Sequence, residues 1–216
     1  FKYYYESGFL ESTENYNNGE LNGLCKYYFE NGQLKESKNY RTGAKSGLQT
    51  TYYSSGQVFQ KENYLNGEKY SNSSTYFPSG NLKERFNYKD SLLHGEFELR
   101  KANQKPLVLG TYSEGKKEGT WKQYYPFKDQ LVSEKTFVGD SLQGKYTAYF
   151  DDGKINIQGN FENNKKEGEW KWFDKNGGKD MEGSFIKDLQ SGEWTYYYPN
   201  GKVRSKGNYL EGKKHG

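Results

Sequence analysis

Residues 23–46 read GLCKYYFENGQLKESKNYRTGAKS, and residues 47–70 read GLQTTYYSSGQVFQKENYLNGEKY. Laid over one another, the two stretches share Gly23 and Gly47, Tyr28 and Tyr52, Gly32 and Gly56, Tyr40 and Tyr64, and Gly43 and Gly67. The same frame reopens at Ser71, Gly95, Gly119, Gly144, Gly168, Gly192 and Gly216. Each step is 24 residues except the one from Gly119, which is 25, the extra residue lying in Pro126-Phe127-Lys128-Asp129. Residues before Gly23 fit with Phe1 at the third position, so 1–216 reads as a single array of nine units starting near 1, 23, 47, 71, 95, 119, 144, 168 and 192. Self-similarity at such a period is the mark of a stacked repeat architecture, in which no unit buries its apolar face alone. Both ends fall inside a unit, so the sequence reads as a piece of a longer chain.

Numbered within the unit, position three is usually a large aromatic: Phe1, Phe97, Trp121, Tyr146, Trp170 and Trp194, with Cys25, Gln49 and Ser73 as exceptions. Positions six and seven form an aromatic pair such as Tyr28-Phe29 or Tyr197-Tyr198. Positions nine and ten are a turn dipeptide such as Asn31-Gly32, Ser79-Gly80 or Asn200-Gly201. Position twelve is mostly aliphatic, as in Leu34 and Val203, and position eighteen is aromatic in every unit. A second turn follows, as in Asn18-Gly19 and Asn66-Gly67. Asn-Gly between β-prone runs predicts a two-residue type I′ hairpin turn at positions nine and ten. Position seven then faces position twelve, and alternation places positions three, five, seven, twelve and eighteen on one core face. That face collects Trp170, Trp172, Trp194, Tyr198, Val203 and Tyr209. The fold class is therefore all-β, an elongated antiparallel sheet of tandem 24-residue hairpins.

The other face carries lysines at position four (Lys2, Lys26, Lys122, Lys171) and an aromatic ladder at position six: Tyr4, Tyr28, Tyr52, Tyr76, Tyr124, Tyr149, Phe173 and Tyr197, interrupted by Arg100. Exposed aromatic rows suit a binding surface for proteins or sugars, because a ring offers apolar area and a tyrosine keeps a polar tip. The same rings also serve as cross-strand pairs that stabilise the sheet itself. Both readings stand on the sequence.

Composition narrows the classes of function. The mean hydropathy is −1.21, yet the chain holds 22 Tyr, 13 Phe and 4 Trp beside 26 Gly, which fits a thin sheet rather than a disordered chain. A net charge of +4 with interleaved lysines and carboxylates gives no basic stripe for nucleic acid. No apolar run approaches the ~20 residues that span a bilayer. A single cysteine, Cys25, excludes a disulfide framework, and its aromatic-type position makes it a small core filler. His94 and His215, the two histidines, lie five units apart at equivalent turn positions and cannot converge on a metal or a catalytic site. Asp151-Asp152-Gly153 lacks calcium-loop spacing and reads as another turn. The expectation is a non-enzymatic chain with no cofactor.

The run Gly159-Asn160-Phe161-Glu162-Asn163-Asn164-Lys165-Lys166-Glu167-Gly168-Glu169-Trp170 resembles the MORN (membrane occupation and recognition nexus) repeat. Tyr209-Leu210-Glu211-Gly212-Lys213-Lys214-His215-Gly216 is similar to its Tyr-x-x-Gly-Lys-x-His-Gly portion, and His94-Gly95 repeats the final pair. The 24-residue unit resembles the bacterial MORN-variant subfamily often labelled antitoxin-like. The resemblance implies elongated antiparallel sheets that serve as protein-binding or lipid-associated scaffolds, without a shared catalytic residue. Choline-binding cell-wall repeats are a second, weaker likeness, with a shorter period and no Gly-Lys-x-His-Gly segment. The unit Gly95–Glu118 departs from the pattern, with Arg100-Lys101 and Gln104 in place of the aromatic pair and the turn glycine.

The function expected is a scaffold for protein partners within a larger complex, a component of a bacterial cell-envelope assembly. The alternatives are a carbohydrate or envelope-polymer array using the tyrosine ladder, and an antitoxin of a toxin–antitoxin pair. Asp90-Ser91-Leu92 and Asp140-Ser141-Leu142 match an O-glycosylation acceptor pattern, and Asn72-Ser73-Ser74 is an N-glycosylation sequon. Together they tilt the compartment towards the periplasm or cell surface.

Overall fold

A computed structural model describes residues 1–216, which form strands and turns without a helix. The chain divides into two compact units, Phe1–Lys105 and Pro106–Gly216. In the first lie β1 (Lys2–Tyr4), β2 (Leu10–Thr13), β3 (Tyr16–Asn17), β4 (Glu20–Leu21), β5 (Gly23–Tyr28), β6 (Leu34–Arg41), β7 (Ala44–Lys45), β8 (Gly47–Tyr52), β9 (Val58–Leu65), β10 (Glu68–Tyr76), β11 (Leu82–Lys89), β12 (Leu92–Leu93) and β13 (Gly95–Arg100). The second holds β14 (Pro106–Ser113), β15 (Lys116–Tyr124), β16 (Leu131–Val138), β17 (Ser141–Tyr149), β18 (Ile155–Glu162), β19 (Lys165–Phe173), β20 (Lys179–Ile186), β21 (Leu189–Tyr197), β22 (Val203–Leu210) and β23 (Lys213–His215). Pairing within each unit is antiparallel, mostly between neighbours in sequence, as in β8–β9–β10 and β19–β20–β21–β22, and past short strands in β2–β5, β6–β8 and β11–β13.

Two kinds of turn set the register, and they are distributed otherwise than the dipeptides predict. At positions nine and ten the hairpin closes on a three-residue loop. The Tyr53 N–H donates to Gln57 O at 2.8 Å and the Gly56 N–H to Tyr53 O at 2.9 Å. Only Gly56, at φ +90°, is left-handed there, which is a type I turn followed by a glycine bulge. The two-residue turn with both central residues at positive φ sits instead at positions twenty and twenty-one, as in Asn66 (φ 51°) and Gly67 (φ 86°). Asn-Gly suits either turn, and the strand lengths between them decide.

This shift corrects the expected core face. Position six, not seven, pairs with position twelve (Tyr52↔Val58, Tyr197↔Val203), and a bulge then brings position fourteen opposite position five (Tyr196↔Ser205). Tyr198 and Val203, expected inside, are 49% and 48% exposed. The core of the second unit takes positions three, five, fourteen and eighteen: Trp170, Phe185 and Trp194, packed by Tyr146, Ile157, Phe161, Trp172, Met181, Tyr196 and Tyr209. Ring contacts run through it edge to face, as in Phe161–Trp170 at 5.2 Å and Phe185–Trp194 at 5.1 Å. That geometry suits the ring quadrupole.

Each position-three tryptophan lies over the glycine eleven residues before it. A Cβ on Gly110, Gly159 or Gly183 would overlap the indole of Trp121, Trp170 or Trp194 respectively. A glycine inside a strand marks a close approach of this kind. All three indole N–H groups donate at 3.2 Å to the backbone oxygen following that glycine: Thr111, Asn160 and Ser184.

Between Phe1 and Phe97, the first unit fills the same column with small and polar groups. Cys25 is fully buried and Gln49 and Ser73 nearly so. Gln49 Nε2 donates to Asn39 O at 2.9 Å while the Asn39 N–H donates to Gln49 Oε1 at 3.1 Å, which replaces the indole bond. A row of position-seventeen amides ties successive hairpins together: Asn15, Asn39 and Asn87 donate through Nδ2 to Leu24 O, Leu48 O and Glu96 O. Buried polar atoms satisfied in this way are tolerated where an unpaired one would be costly.

Candidate functional site

The position-six side chains are carried on the strand residue next to the core position five, so alternation turns them to the face opposite the tryptophan cluster. In the first unit Tyr4 is 58% exposed, and Tyr28, Tyr52 and Tyr76 are half-buried. In the second, Tyr124, Tyr149, Phe173 and Tyr197 are all half-buried. Each ring pairs across its own hairpin with position twelve: Leu10, Leu34, Val58, Leu82, Leu131, Ile155, Lys179 and Val203 in chain order. The aliphatic column that the sequence assigned to the core therefore widens the ladder into an aromatic–aliphatic stripe.

Polar groups anchor the rings. Tyr149 Oη donates to Glu134 Oε2 at 2.7 Å, and Tyr197 Oη donates to Glu182 Oε1 at 2.5 Å. Partial burial, reinforced by the bond to Glu134, pushes the Tyr149 hydroxyl up to about 12. The bond to Glu182 is the main reason the Tyr197 hydroxyl is raised. Burial pushes the Glu182 carboxyl up, but Lys179 and the Tyr197 hydroxyl outweigh it and hold the group below its ordinary value. Lys122 and Lys171 at position four pair with Glu134 at 3.3 Å and Glu169 at 2.8 Å. The stripe is thus apolar along its middle and flanked by ion pairs.

Position seven, read as core, instead latches one hairpin to the next. Tyr5 Oη donates to Tyr28 O at 2.6 Å, Tyr53 Oη to Tyr76 O at 2.7 Å and Tyr125 Oη to Tyr149 O at 3.1 Å. Sequence reasoning also missed the staples at position twenty-four. Asn22 Oδ1, Glu118 Oε2, Gln143 Oε1 and Glu167 Oε2 accept from the backbone N–H of Thr42, Gly139, Asn163 and Lys187 in the following turn. Their recurring acid or amide one residue before the unit glycine was the available signal.

The irregular unit keeps its turn by other means. Gln104 takes the left-handed conformation at φ 67°, and its N–H donates to Lys101 O at 2.9 Å. Arg100, standing in the ladder, donates through Nε to Glu98 Oε2 at 2.7 Å and through Nη1 to Gln104 O at 2.9 Å. Arg85 reaches the same carboxylate at 2.5 Å. An ion cluster here replaces the ring and its aliphatic partner.

The remaining sequence candidates do not assemble. His94 is half-buried in its turn, His215 is exposed on β23, and Cys25 is buried with the Asn15 N–H at 3.5 Å from Sγ. Asp152 Oδ1 accepts from the Lys154 N–H within its hairpin turn, and Asp151 pairs with Lys128. No three His, Cys, Asp or Glu side chains come together as a metal-binding set, and no helix is long and apolar enough to cross a membrane. Asn72-Ser73-Ser74 lies within β10 with both serines buried, whereas Asp90 and Ser91 are exposed in a turn.

No curated protein matches this chain in sequence. The family model described as MORN repeat variant matches residues 21–41, 45–66, 72–90, 142–163, 166–187 and 190–211. These segments keep the repeat frame and leave out the Arg100 unit and the 25-residue unit. Covering more than half of a chain whose hairpins recur in that frame, they place it: the chain belongs to the MORN repeat variant family.

Proposed function

We propose that the chain is a non-enzymatic scaffold that binds a protein partner through the position-six stripe, as a component of a bacterial cell-envelope assembly. MORN repeats generally act as scaffolds for protein or membrane binding, which supports the coarser half of this reading. The finer half rests on one observation. Tyr124, Tyr149, Phe173 and Tyr197 hold half-exposed rings beside Leu131, Ile155 and Val203, with charged groups along the margins. Aromatic residues with a polar rim are the composition that distinguishes protein interfaces. The exposed Asp90-Ser91 turn supports an extracytoplasmic placement.

Site-directed photocrosslinking in the native cell tests this. An aryl-ketone amino acid at Tyr124 or Tyr149 is expected to trap a defined protein, and one at the turn residue Lys187 to trap none. Adducts of equal yield at both places, or none from the ladder, would remove the proposal; adducts to glycan would move it to the envelope-polymer reading.

A further inference from the structure

We propose that the ladder face of the first unit binds an acidic polysaccharide carrying a carboxylate on every second sugar. This site is independent of the protein-binding stripe on the second unit and rests on how the strand register sorts charge. Positions four and fifteen pair directly from strand to strand, beside the ladder. From β5 to β11 they bring Lys26, Ser37, Thr50, Lys61, Ser74 and Arg85 into one continuous row. Alternation places that row on the tyrosine face. Only cations and hydroxyls occur along it, and the first carboxylate is Glu98, paired with Arg85.

The acids of the same strands face the other way. Glu36 on β6 and Glu62 on β9 sit at positions fourteen and sixteen, on the core face, where Lys38 and Lys69 pair with them. Lys26 and Lys61 are left without a carboxylate partner, Lys61 exposed and Lys26 half-buried. At the end of the row Arg85 and Arg100 share the one carboxylate of Glu98, which leaves a positive charge in excess. The second unit has the contrary arrangement. Its equivalent row runs Lys122, Glu134, Thr147, Gln158, Lys171 and Glu182, and its lysines pair with Glu134 and Glu169. Charges that interleave along the sequence are therefore separated by face in the first unit alone.

Charge complementarity calls for a polyanion, and spacing says which. Lys26, Lys61 and Arg85 are three and then two strands apart, ~14 and ~10 Å at the usual strand separation. A stacked nucleic-acid strand carries a charge about every 3.4 Å. An extended peptide turns a side chain to one face about every 6.6 Å. Both are denser than the row. Two linked pyranose rings cover about the width of two strands, so a polymer charged on alternate sugars matches it. Thr50 and Ser74, 7% and 5% exposed, are short residues that floor the row between the long cationic side chains. Tyr28, Tyr52 and Tyr76 stand two residues further along β5, β8 and β10, one half-buried ring for every two strands. An apolar ring with a polar tip suits a sugar laid along them.

The test titrates a fluorescently labelled octasaccharide of alternating glucuronate and N-acetylglucosamine with the chain and follows anisotropy. Saturable binding is expected, weakened by added salt and absent for the methyl ester of the same octasaccharide, which removes only the charge. Lys26→Gln and Lys61→Gln should each weaken it about fivefold or more, through loss of a charge-assisted hydrogen bond. Neither lysine has an ion-pair partner within the fold, so both variants keep the thermal midpoint of the parent. Lys171→Gln in the second unit should leave binding unchanged. No saturable binding, equal binding of the ester, or a loss from Lys171→Gln as large as from Lys61→Gln overturns the inference. Tighter binding of oligothymidylate, a polyglutamate peptide or phosphatidylserine vesicles assigns the row to that polyanion and also overturns it. Tyr124 and Tyr149 take no part in the readout, so this proposal and the proposed function can fail separately.

Discussion

At the scale of single residues, the glycine–tryptophan pairs carry the largest local energies. Gly183 and Trp194 illustrate this: the ring is 1% exposed and sits where a Cβ at 183 would be. Gly183→Ala is expected to destabilise by about 3 kcal/mol, the upper range for overpacking a rigid site, because the obstruction is an indole fixed by its own hydrogen bond. Trp194→Ala should cost about 3–5 kcal/mol by leaving a cavity. In the double variant Gly183→Ala, Trp194→Phe the smaller ring recovers part of the loss, so a urea-denaturation cycle should show coupling of opposite sign to the single effects. Additive losses would show that the two sites are independent. The pairing was legible in principle as glycine recurring eleven residues before tryptophan. It was missed because the repeat was aligned within units, whereas the contact crosses from one unit to the next.

At the scale of elements, the hairpins were legible and their turns were not. The repeat frame announced strand, turn, strand, and those elements stand where it put them. Asn-Gly at positions nine and ten pointed to the wrong turn, because the dipeptide supplies one left-handed residue as readily as two. Moving the two-residue turn to positions twenty and twenty-one displaced position twelve from the core to the ladder and brought in position fourteen. The position-six residues share the face opposite the tryptophan cluster, while their aliphatic partners Leu131, Ile155 and Val203 followed from the register and were out of reach of the alternation rule. The turn assignment makes its own prediction. Lys187 holds φ 50° at a position where other units carry Asn18, Asn66 or Asn163. Lys187→Asn keeps the backbone bond to Glu167 and should raise stability by about 0.5 kcal/mol through relief of the left-handed conformation. Gly177→Ala, at φ 91° in the other turn, should lower it by about 1–2 kcal/mol. Were Gly177 tolerant and Lys187→Asn neutral, the turn types assigned to the two loops would be wrong.

At the scale of the whole molecule, stability is spread over many half-buried tyrosines, and this makes it sensitive to alkali. Burial raises the hydroxyls of Tyr27, Tyr64, Tyr146 and Tyr149, while a bond to Tyr209 raises Tyr196 and a bond to Glu182 raises Tyr197. An unfolded tyrosine ionises near pH 10, roughly the value in model peptides. Tyr149 in the fold ionises at about 12. Between those values the unfolded chain has released protons that the folded chain still holds, so stability falls as pH rises. Below the lower value both states are protonated and the contribution is complete. The urea midpoint should therefore be level from about pH 8 to 9.5 and decline steeply towards pH 12, with phenolate absorbance appearing together with loss of structure. Tyr149→Phe should lower the level portion, by removing the bond to Glu134, and flatten the decline. A midpoint that holds to pH 12, or phenolate absorbance that rises while the strands persist, would mean that the rings lie open to solvent and that the stripe contributes nothing to the sheet.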